Sequence, residues 1–519
     1  MTHRKALYPL TWSGLFLVMA GLAHALALST PWNHEPAGWL QLLAMAVLVA
    51  QLQVAQSPGQ AAARAWVFAT SWLVGTFWWL FVAMNTYGDL SAPLAALAVL
   101  ALALALAAYY ALAGAVYRAI APSGVWARSA LFAALWTMAE MARGTWLTGF
   151  GWGAAAYAHV NGLGVLVKWL GAYGLTALVA FVAAVLAGVW ARPKRWQVLA
   201  GVVLVSPAFW WSPTPLPSYS VANGGLSVAL LQGNIAQDEK FQMGTGVADA
   251  LQWYGEQLRV QPAALVVAPE TALPLLPQQL PPDYWPALNR AFASGSQAAL
   301  LGMPLGDLAQ GYTNSVVGLK PVPAAGVGYY QYDKHHLVPF GEFIPPLFRW
   351  FTNLMNIPLG DFNRGSVGQT SFEWQGQRLA PNVCYEDLFG EELGARFLLP
   401  DQAPTVLVNV SNLAWFGNTV ALDQHRHISR MRALEFERPV IRATNTGDTA
   451  IIDHMGRVTQ ALPRHTRGVL LGEVTGRTGI TPFAWWVSRW GQWPVWLACA
   501  AVVLATWAVR RKAQSAAQA

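Results

Sequence analysis

Long apolar runs dominate the first 212 residues of the chain, and a further run lies near the C-terminus. The hydrocarbon core of a bilayer is about 30 Å thick, so a helical span needs about 20 mostly apolar residues. Runs of about this length predict eight spans, at residues 9–28, 38–55, 65–84, 92–116, 125–142, 164–190, 196–212 and 484–508. We therefore predict a polytopic α-helical membrane bundle of about eight spans.

A different pattern begins after the proline-rich stretch WSPTPLPSYS. Strand-like apolar runs alternate there with helical stretches at residues 245–259, 283–294 and 419–437. The strand-like runs are LSVALLQ, ALVVAPE, AALLGMP, TNSVVGL, TVLVNV, PVIRATN, TAIID and GVLLGEV. Nearly continuous apolar runs are typical of strands that are covered on both faces, which indicates an α/β domain.

The two patterns together give a domain plan. We predict a seven-helix membrane bundle at 1–212, a linker at 213–224, an α/β domain at 225–478, and a C-terminal membrane helix with its tail at 479–519. Composition agrees, because 55% of residues are hydrophobic and 11% are charged, against about 25% charged in typical soluble domains. The net charge of +7 does not indicate a nucleic-acid partner, since Lys and Arg are scattered along the chain.

Basic residues flank the apolar runs on one side of the predicted bundle. If the spans alternate in direction, that side carries Arg4, Lys5, Arg64, Arg118, Arg128, Arg192, Lys194, Arg195, Arg510, Arg511 and Lys512. The positive-inside rule then places both termini in the cytoplasm and the α/β domain outside it. Within the fifth run, Glu140 and Arg143 stand at helical i, i+3 spacing. We predict a local ion pair there, with binding of a phospholipid headgroup as the alternative.

The chain contains two cysteines, Cys384 in NVCYEDLFG and Cys499 in the last apolar run. A free cysteine is most often a small buried hydrophobe, so Cys384 alone indicates little. No CxxC motif or Cys/His cluster at ligand spacing occurs in the sequence, so we predict no structural metal. The adjacent His335 and His336 are expected to pack or to form hydrogen bonds. His425 and His427 are two residues apart in a predicted helix and would lie on different faces, so we predict no metal site there.

Three apolar runs in the α/β domain end on a reactive residue, namely Glu270, Lys334 and Cys384. Open α/β sheets gather chemistry at strand ends, so these residues can converge although they are far apart in sequence. A thiol with a pKa near 8.5 needs a base to take its proton and a cation to stabilise negative charge. We predict that Glu270 is the general base and that Cys384 forms a thioester. Lys334 and the backbone N–H of Tyr385 would stabilise the oxyanion.

The motifs APETALP, YDKHHLVPFGEFIP, NVCYEDLFG and SNLAWFG occur in this order within the region between predicted spans. Together they resemble the nitrilase superfamily and, more closely, its membrane-bound branch, the apolipoprotein N-acyltransferases. The resemblance covers essentially the whole chain. The Glu-Lys-Cys pattern is typical of the superfamily, whereas the long YDKHHLVPFGEFIP match and the topology are specific to the branch.

This resemblance implies an αββα sandwich, no cofactor and two half-reactions at a bacterial inner membrane, with the domain in the periplasm. The thiolate would take an acyl chain from a phospholipid, typically phosphatidylethanolamine, and leave a lysophospholipid. The α-amine of a diacylglyceryl-cysteine on an apolipoprotein would then attack the thioester. We expect the protein to act as a monomer.

The resemblance also implies roles for individual residues. The family's triad falls on Glu270, Lys334 and Cys384. Its further essential acid falls on Glu342, and the Tyr-Glu pair after the nucleophile falls on Tyr385 and Glu386. Glu342 would position Lys334 or Cys384, although a loop salt bridge is its plainer interpretation. Some members carry Trp where this chain has Phe241, so a site role for Phe241 stays open.

Apolar candidates for lipid contact lie in two loops. The stretch at 345–362 is rich in aromatic residues, and we predict that it forms a mobile lid whose Trp350 and Phe351 touch lipid. Trp415 and Phe416 in AWFG would form another apolar wall. Asn314 is our polar candidate for substrate binding.

Two other functions compete with acyl transfer. A membrane-tethered nitrilase-type amidase would use the same triad with water as the attacking group. A transporter or lipid-binding protein would carry an inactive enzyme-like domain, against which the intact triad argues.

Overall fold

A computed structural model describes residues 8–191, 217–321, 328–344 and 361–518. The chain divides into two compact units. The first comprises Met1–Trp78, Pro93–Leu216 and Gln492–Ala519, and the second comprises Trp79–Ala92 and Pro217–Gly491. The predicted span at 196–212 and most of the predicted lid, with Trp350 and Phe351, lie outside the described residues.

The described part of the first unit consists of helices joined by turns and loops. Its main helices are α1 (Tyr8–Leu26), α2 (Gly38–Gln53), α3 (Pro58–Phe77), α4 (Ala92–Ile120), α5 (Val125–Thr145), α6 (Val167–Ala191) and the C-terminal α12 (Trp493–Gln518). These positions follow seven of the eight predicted runs. The apolar pattern therefore located the helices.

The predicted number of spans, about eight, is not confirmed. Within the described ranges, three helices are long and apolar enough to cross a membrane, at Ala92–Ile120, Leu163–Gly188 and Trp493–Ala516. A fourth is added if the pair Pro58–Phe77 and Leu80–Tyr87, bent by 59°, counts as one span. Helix α2 has 16 residues and is about 24 Å long, shorter than a bilayer core. In α5 the charged residues reduce the apolar character.

Two predicted spans are interrupted. The run at 65–84 breaks after Phe77, and a short helical turn followed by the π-helical turn Ala83–Tyr87 continues the chain within the second unit. The run at 484–508 is split by Gly491, whose φ of +54° ends one helix before α12 begins. Apolar composition alone did not indicate either break.

Two buried charged residues of the first unit form hydrogen bonds to several segments. Glu140 and Arg143 are 0% and 1% exposed. Glu140 accepts hydrogen bonds from Trp136 Nε1 (3.1 Å), the Ala155 backbone N–H (3.0 Å) and Thr176 Oγ1 (2.9 Å). Arg143 donates to Tyr110 Oη (2.9 Å) and to the carbonyls of Phe150 (2.6 Å) and Trp152 (2.8 Å). In place of the local pair that we predicted, each charge links its helix to other segments.

In its described part, the second unit contains two six-stranded sheets. The first sheet has the order β12-β1-β2-β3-β4-β5, and the second has the order β11-β10-β9-β8-β7-β6. The strands are β1 (Ser220–Gln232), β2 (Leu265–Val267), β3 (Ala298–Asp307), β4 (Gly311–Leu319), β5 (Tyr330–Asp333), β6 (Phe372–Trp374), β7 (Gln377–Val383), β8 (Val406–Ser411), β9 (Val440–Thr444), β10 (Ala450–Ile452), β11 (Val458–Ala461) and β12 (Gly468–Gly479).

Each sheet has the same plan. Strands β1, β2 and β3 pair in parallel, as do β7, β8 and β9, and antiparallel strands complete both sheets. Alternate residues of β1 face opposite ways, as the pleat requires. Leu226, Val228 and Leu230 join a core that contains residues of both sheets, whereas Ala229 and Leu231 pack with helices.

Helices cover the outer face of each sheet. They are α7 (Gly246–Val260) and α8 (Tyr284–Ala293) on the first sheet, and α9 (Gly390–Gly394), α10 (Ala421–Phe436) and α11 (Pro482–Trp490) on the second. The predicted αββα sandwich is therefore confirmed. All eight strand-like runs that were predicted form strands, and the three helical stretches correspond to α7, α8 and α10.

Candidate active site

The three predicted reactive residues lie just after strands of the second unit. Lys334 directly follows β5, and Cys384 directly follows β7. Glu270 lies in the turn after β2, three residues beyond Val267. Strands β2 and β7 are almost wholly buried, and β5 is paired with β4, so each strand fixes the position of the polar residue that follows it.

Lys334 lies between two carboxylates. Its Nζ is 3.4 Å from Glu270 Oε1 and 2.9 Å from Glu342 Oε1, and the lysine is 1% exposed. Burial lowers the pKa of Lys334, but Glu342 and Glu270 outweigh it and hold this pKa well above its usual value. Lys334 is therefore a cation at neutral pH, and Glu342 forms an ion pair with it.

Neutral groups fix both carboxylates. The side-chain amide of Asn314 donates to Glu270 Oε1 (2.8 Å) and to Glu342 Oε1 (2.7 Å). The other carboxylate oxygens accept from backbone N–H groups, Glu270 Oε2 from Asn412 (2.9 Å) and Glu342 Oε2 from Val338 (2.8 Å). The amide group of Asn314 therefore orients the two carboxylates. Its role in substrate binding stays a prediction.

Cys384 occupies a sharp turn with a φ of +56°, in the left-handed region that a residue with a side chain rarely adopts. Its carbonyl accepts hydrogen bonds from Asn409 Nδ2 (2.8 Å) and His425 Nε2 (3.1 Å), and these bonds hold the turn in place. Burial and the charge of Glu270 raise the pKa of the Cys384 thiol well above its usual value, against the effect of Lys334. The resting thiol is protonated and needs a base.

The residues after Cys384 support its turn. Glu386 Oε1 accepts from the backbone N–H groups of His335 (2.7 Å) and His336 (3.1 Å), and Oε2 accepts from Tyr332 Oη (2.8 Å) and the Val383 N–H (2.7 Å). Burial raises the pKa of Glu386, although these bonds oppose it.

Tyr385 donates to the Leu337 carbonyl (2.7 Å), and its ring centroid is 5.8 Å from Lys334 Nζ. Tyr385 and Glu386 therefore join the nucleophile turn to the Lys334 loop.

A second charged cluster lies behind the turn. Asp387 Oδ1 is 3.1 Å from His425 Nε2, and Asp387 Oδ2 accepts from Ser429 and lies 3.7 Å from Arg442. Burial raises the pKa of Asp387, but His425, Arg442 and Ser429 outweigh it, so this pKa is lowered. Among the described residues, no group of three or more His, Cys, Asp or Glu side chains could hold a metal ion.

Sequence reasoning missed several residues that contact the site. Asn409 and His425 hold the Cys384 carbonyl, and Lys240 donates to the Glu270 carbonyl (3.1 Å). Lys240 lies in QGNIAQDEKF, where we considered only its neighbour Phe241, which is 38% exposed. The available signal was a lysine beside an aromatic residue in a polar stretch. From the sequence alone, such a lysine looks the same as an ordinary solvent-exposed one.

The predicted apolar wall packs on a segment that precedes α4. Trp415 and Phe416 lie in the 3₁₀ turn Leu413–Phe416. Phe416 contacts Trp79, with ring centroids 4.4 Å apart, and Trp415 contacts Tyr87 at 6.0 Å. Trp79 Nε1 also donates to Gln424 Oε1 (3.2 Å), next to His425 in α10. The wall is therefore built from two distant parts of the chain.

Comparison with known proteins gives matches over both regions. The family model of the apolipoprotein N-acyltransferase N-terminal domain matches residues 7–185, and that of the carbon-nitrogen hydrolases matches residues 227–482. The apolipoprotein N-acyltransferase of Verminephrobacter eiseniae (strain EF01-2) is 57% identical over 516 residues, which cover 94% of this chain and 95% of that relative.

A second relative and a solved structure complete these findings. The apolipoprotein N-acyltransferase of Ralstonia nicotianae (strain ATCC BAA-1114 / GMI1000) is 43% identical, covering 92% of this chain and 90% of its own length. A carbon-nitrogen hydrolase from Helicobacter pylori G27 matches 53% of this chain and 94% of its own, with 16% identity and a TM-score of 0.35. Because these relatives are 57% and 43% identical to the chain and match it over nearly its whole length, the chain belongs to the apolipoprotein N-acyltransferase family.

Proposed function

We propose that this protein transfers an acyl chain from a phospholipid, through a thioester on Cys384, to the N-terminal α-amine of a diacylglyceryl-cysteine in an apolipoprotein. Phosphatidylethanolamine is the proposed donor. The observation that carries the proposal is the placement of Lys334 between Glu270 and Glu342, beside a protonated thiol, in a chain of this family. These are the base, cation and nucleophile that acyl transfer requires.

The first half-reaction begins when Glu270 takes the proton of the Cys384 thiol. The sulfur attacks the ester carbonyl carbon, and Lys334 with the Tyr385 backbone N–H stabilises the oxyanion. As the ester C–O bond breaks, Glu270 returns the proton to the leaving oxygen. A lysophospholipid departs, and the acyl chain remains on sulfur.

In the second half-reaction the free amine of the acceptor attacks the thioester carbon. Glu270 takes a proton from the attacking nitrogen, the C–S bond breaks, and the proton passes to the Cys384 sulfur. The products are an amide and the resting thiol. Glu342 positions Lys334 in both steps through its ion pair, while Tyr385 and Glu386 keep the nucleophile turn in place.

The proposed setting is a bacterial inner membrane, with residues 225–478 in the periplasm, both termini in the cytoplasm, and a monomer as the working form. The supports are the one-sided basic flanks of the apolar runs and the candidate membrane helices. We assign the contacts with acyl chains to Phe241, Trp350, Phe351, Trp415 and Phe416.

Labelled phospholipid tests the proposal. The purified protein is incubated with phosphatidylethanolamine that carries a radiolabelled acyl chain, and hydroxylamine-sensitive label on the protein is measured. Cys384→Ser should carry no such label, whereas Cys499→Ser, a matched control in α12, should be labelled like the wild type. Absence of labelled thioester from the wild type with every phospholipid offered would refute the proposal.

The acceptor distinguishes acyl transfer from hydrolysis. The labelled enzyme is given a diacylglyceryl-peptide with a free α-amine or the same peptide with an acetylated amine. Label should move to the free amine only. Release of free fatty acid with either peptide, and no labelled peptide, would instead support a hydrolase with water as the attacking group.

A further inference from the structure

Lys240 is a buried cation that the mechanism above does not use. It lies in a turn after β1, where its backbone N–H donates to the Ala236 carbonyl (3.0 Å). Its residue exposure is 2%, and its Nζ donates to the backbone carbonyl of Glu270 (3.1 Å). A lysine is almost never fully buried unless it is paired, so this position calls for a partner charge.

The turn that carries Lys240 supports Glu270 by a second route. Gln237, three residues earlier, accepts a hydrogen bond from Asn412 Nδ2 (2.7 Å). The backbone N–H of the same Asn412 donates to Glu270 Oε2 (2.9 Å). The turn therefore fixes the backbone of Glu270 through Lys240 and the carboxylate of Glu270 through Gln237 and Asn412.

The charges of the site also point to Lys240. Glu270 and Glu342 bring two negative charges to Lys334, which supplies one positive charge. Protonated Lys240 supplies a second positive charge, which offsets the second of these two carboxylates. When the thiol proton moves to Glu270, one negative charge moves to sulfur and the total is unchanged. A buried site with an unbalanced charge is strongly disfavoured.

We propose that Lys240 is a positioning residue that holds Glu270 in place as the base and supplies the second cation of the site. At neutral pH Lys240 keeps its proton throughout the reaction. The kinetic part of this inference rests on the proposed acyl transfer, whereas the electrostatic part rests on the geometry alone.

The acid-base properties of Lys240 agree with this role. Burial lowers the pKa of Lys240 to about 8, and the charges that face it, Glu270 and Cys384, oppose this effect. Lys240 therefore carries its charge below pH 8 and loses it above. An arginine at this position stays charged across the whole range.

The chain offers a matched control for the hydrogen bond. Lys320 Nζ donates to the backbone carbonyl of Glu373 (2.8 Å), the same type of bond in a more exposed place. We therefore compare Lys240→Met, Lys240→Arg and Lys320→Met, all in a Cys499→Ala background in which Cys384 is the reactive thiol. Thermal unfolding of each purified variant reports whether it is folded.

Two measurements separate the electrostatic part from the kinetic part. The rate of Cys384 alkylation by iodoacetamide between pH 6 and 10 requires no substrate. Removing a nearby cation disfavours the thiolate, so Lys240→Met should be alkylated at least about threefold more slowly than the wild type at neutral pH. The rate of thioester formation from phosphatidylethanolamine should fall by about tenfold to a hundredfold, the effect of losing a hydrogen bond from a charged group.

The variants make the outcome decisive. Lys240→Arg should keep both rates within about threefold of the wild type below pH 8 and should exceed the wild type above it. The comparison of Lys240→Arg with the wild type remains informative if Lys240→Met does not fold. Rates for Lys240→Met equal to those of Lys320→Met, or a loss in Lys240→Arg as large as in Lys240→Met, would overturn the proposal. If phospholipid does not acylate the wild type, the proposed function fails, while alkylation still tests Lys240.

Discussion

Two charged clusters adjoin the Cys384 turn, and they use similar residues for different ends. The front cluster consists of Glu270, Asn314, Lys334 and Glu342. The back cluster consists of Asp387, His425, Ser429 and Arg442. Both are buried, and both contain carboxylates paired with a cation.

The two clusters differ in how they change the pKa values of nearby groups. In the back cluster His425, Arg442 and Ser429 lower the pKa of Asp387 despite its burial, so this carboxylate is stabilised as an anion. In the front cluster two carboxylates share Lys334, and burial with the charge of Glu270 raises the pKa of the Cys384 thiol. The back cluster therefore stabilises an anion, whereas the front cluster lies beside a protonated thiol, as the proposed proton transfer requires.

Replacing Lys334 should break the front cluster most severely. Lys334→Met leaves Glu270 and Glu342 without the cation between them and removes the stabiliser of the oxyanion. We expect thioester formation to slow by about a thousandfold, the loss caused by removing one oxyanion donor. Single-turnover labelling from phospholipid measures this rate. Lys320→Met should stay near the wild type, and an equal loss in that control would contradict the assignment.

Neutralising Glu342 should separate thiol reactivity from catalysis. Glu342→Gln removes a charge that raises the pKa of the Cys384 thiol, so alkylation of Cys384 should become faster. The ion pair that positions Lys334 is lost at the same time, so thioester formation should slow by about tenfold to a hundredfold. The two rates are measured on the same preparation. A change of both in the same direction would show that Glu342 does not act through Lys334.

Changing the back cluster should affect stability more than rate. His425→Phe keeps a ring but removes the hydrogen bond to the Cys384 carbonyl and the contact with Asp387. Unsatisfied buried partners should cost about 1–3 kcal/mol of unfolding free energy. Thioester formation should slow by no more than about tenfold, because Asn409 still holds the carbonyl. Thermal unfolding measures the loss of stability, and labelling from phospholipid measures the rate of thioester formation. A thousandfold loss of that rate would show that His425 belongs with the front cluster.

The smallest expected effect concerns acid stability. The folded-state pKa of Asp387 is lowered, so its contribution to stability is fully present above the unfolded value of about 3.9 and is lost as the pH falls through the folded value. Asp387→Asn should unfold at a lower temperature than the wild type at pH 7, and this gap should narrow below pH 4. Unfolding temperatures at pH 7, 5 and 3.5 measure it. An equal difference in unfolding temperature at all three pH values would show that the charge of Asp387 does not stabilise the folded protein.

The sequence predicted the front cluster better than the back cluster, for a physical reason. Glu270, Lys334 and Cys384 follow strand-like runs, and a strand that is paired within a sheet fixes the residue after it. His425 and Asn409 lie within a helix and a strand, where their partners depend on how the two elements pack. Sequence alone contains no local signal for such contacts.

The helices of the first unit show the same limit. Apolar runs located the helices, but breaks after Phe77 and at Gly491 depend on local backbone geometry. Glu140 and Arg143 have suitable spacing for a pair, yet each binds groups on other segments. Side-chain spacing on one helix could not reveal these partners. The catalytic roles of the site residues, and the lid at 345–362, stay predictions.

The segment Trp79–Ala92 belongs to the second unit although it lies between α3 and α4 in the chain. It packs Trp79 and Tyr87 against Phe416 and Trp415. A truncation that starts at residue 217 would therefore remove part of the enzyme domain along with the helices, and would leave its aromatic residues uncovered. A water-soluble version of the enzyme domain would have to include Trp79–Ala92 as well, because the helices cannot be removed without removing part of the domain.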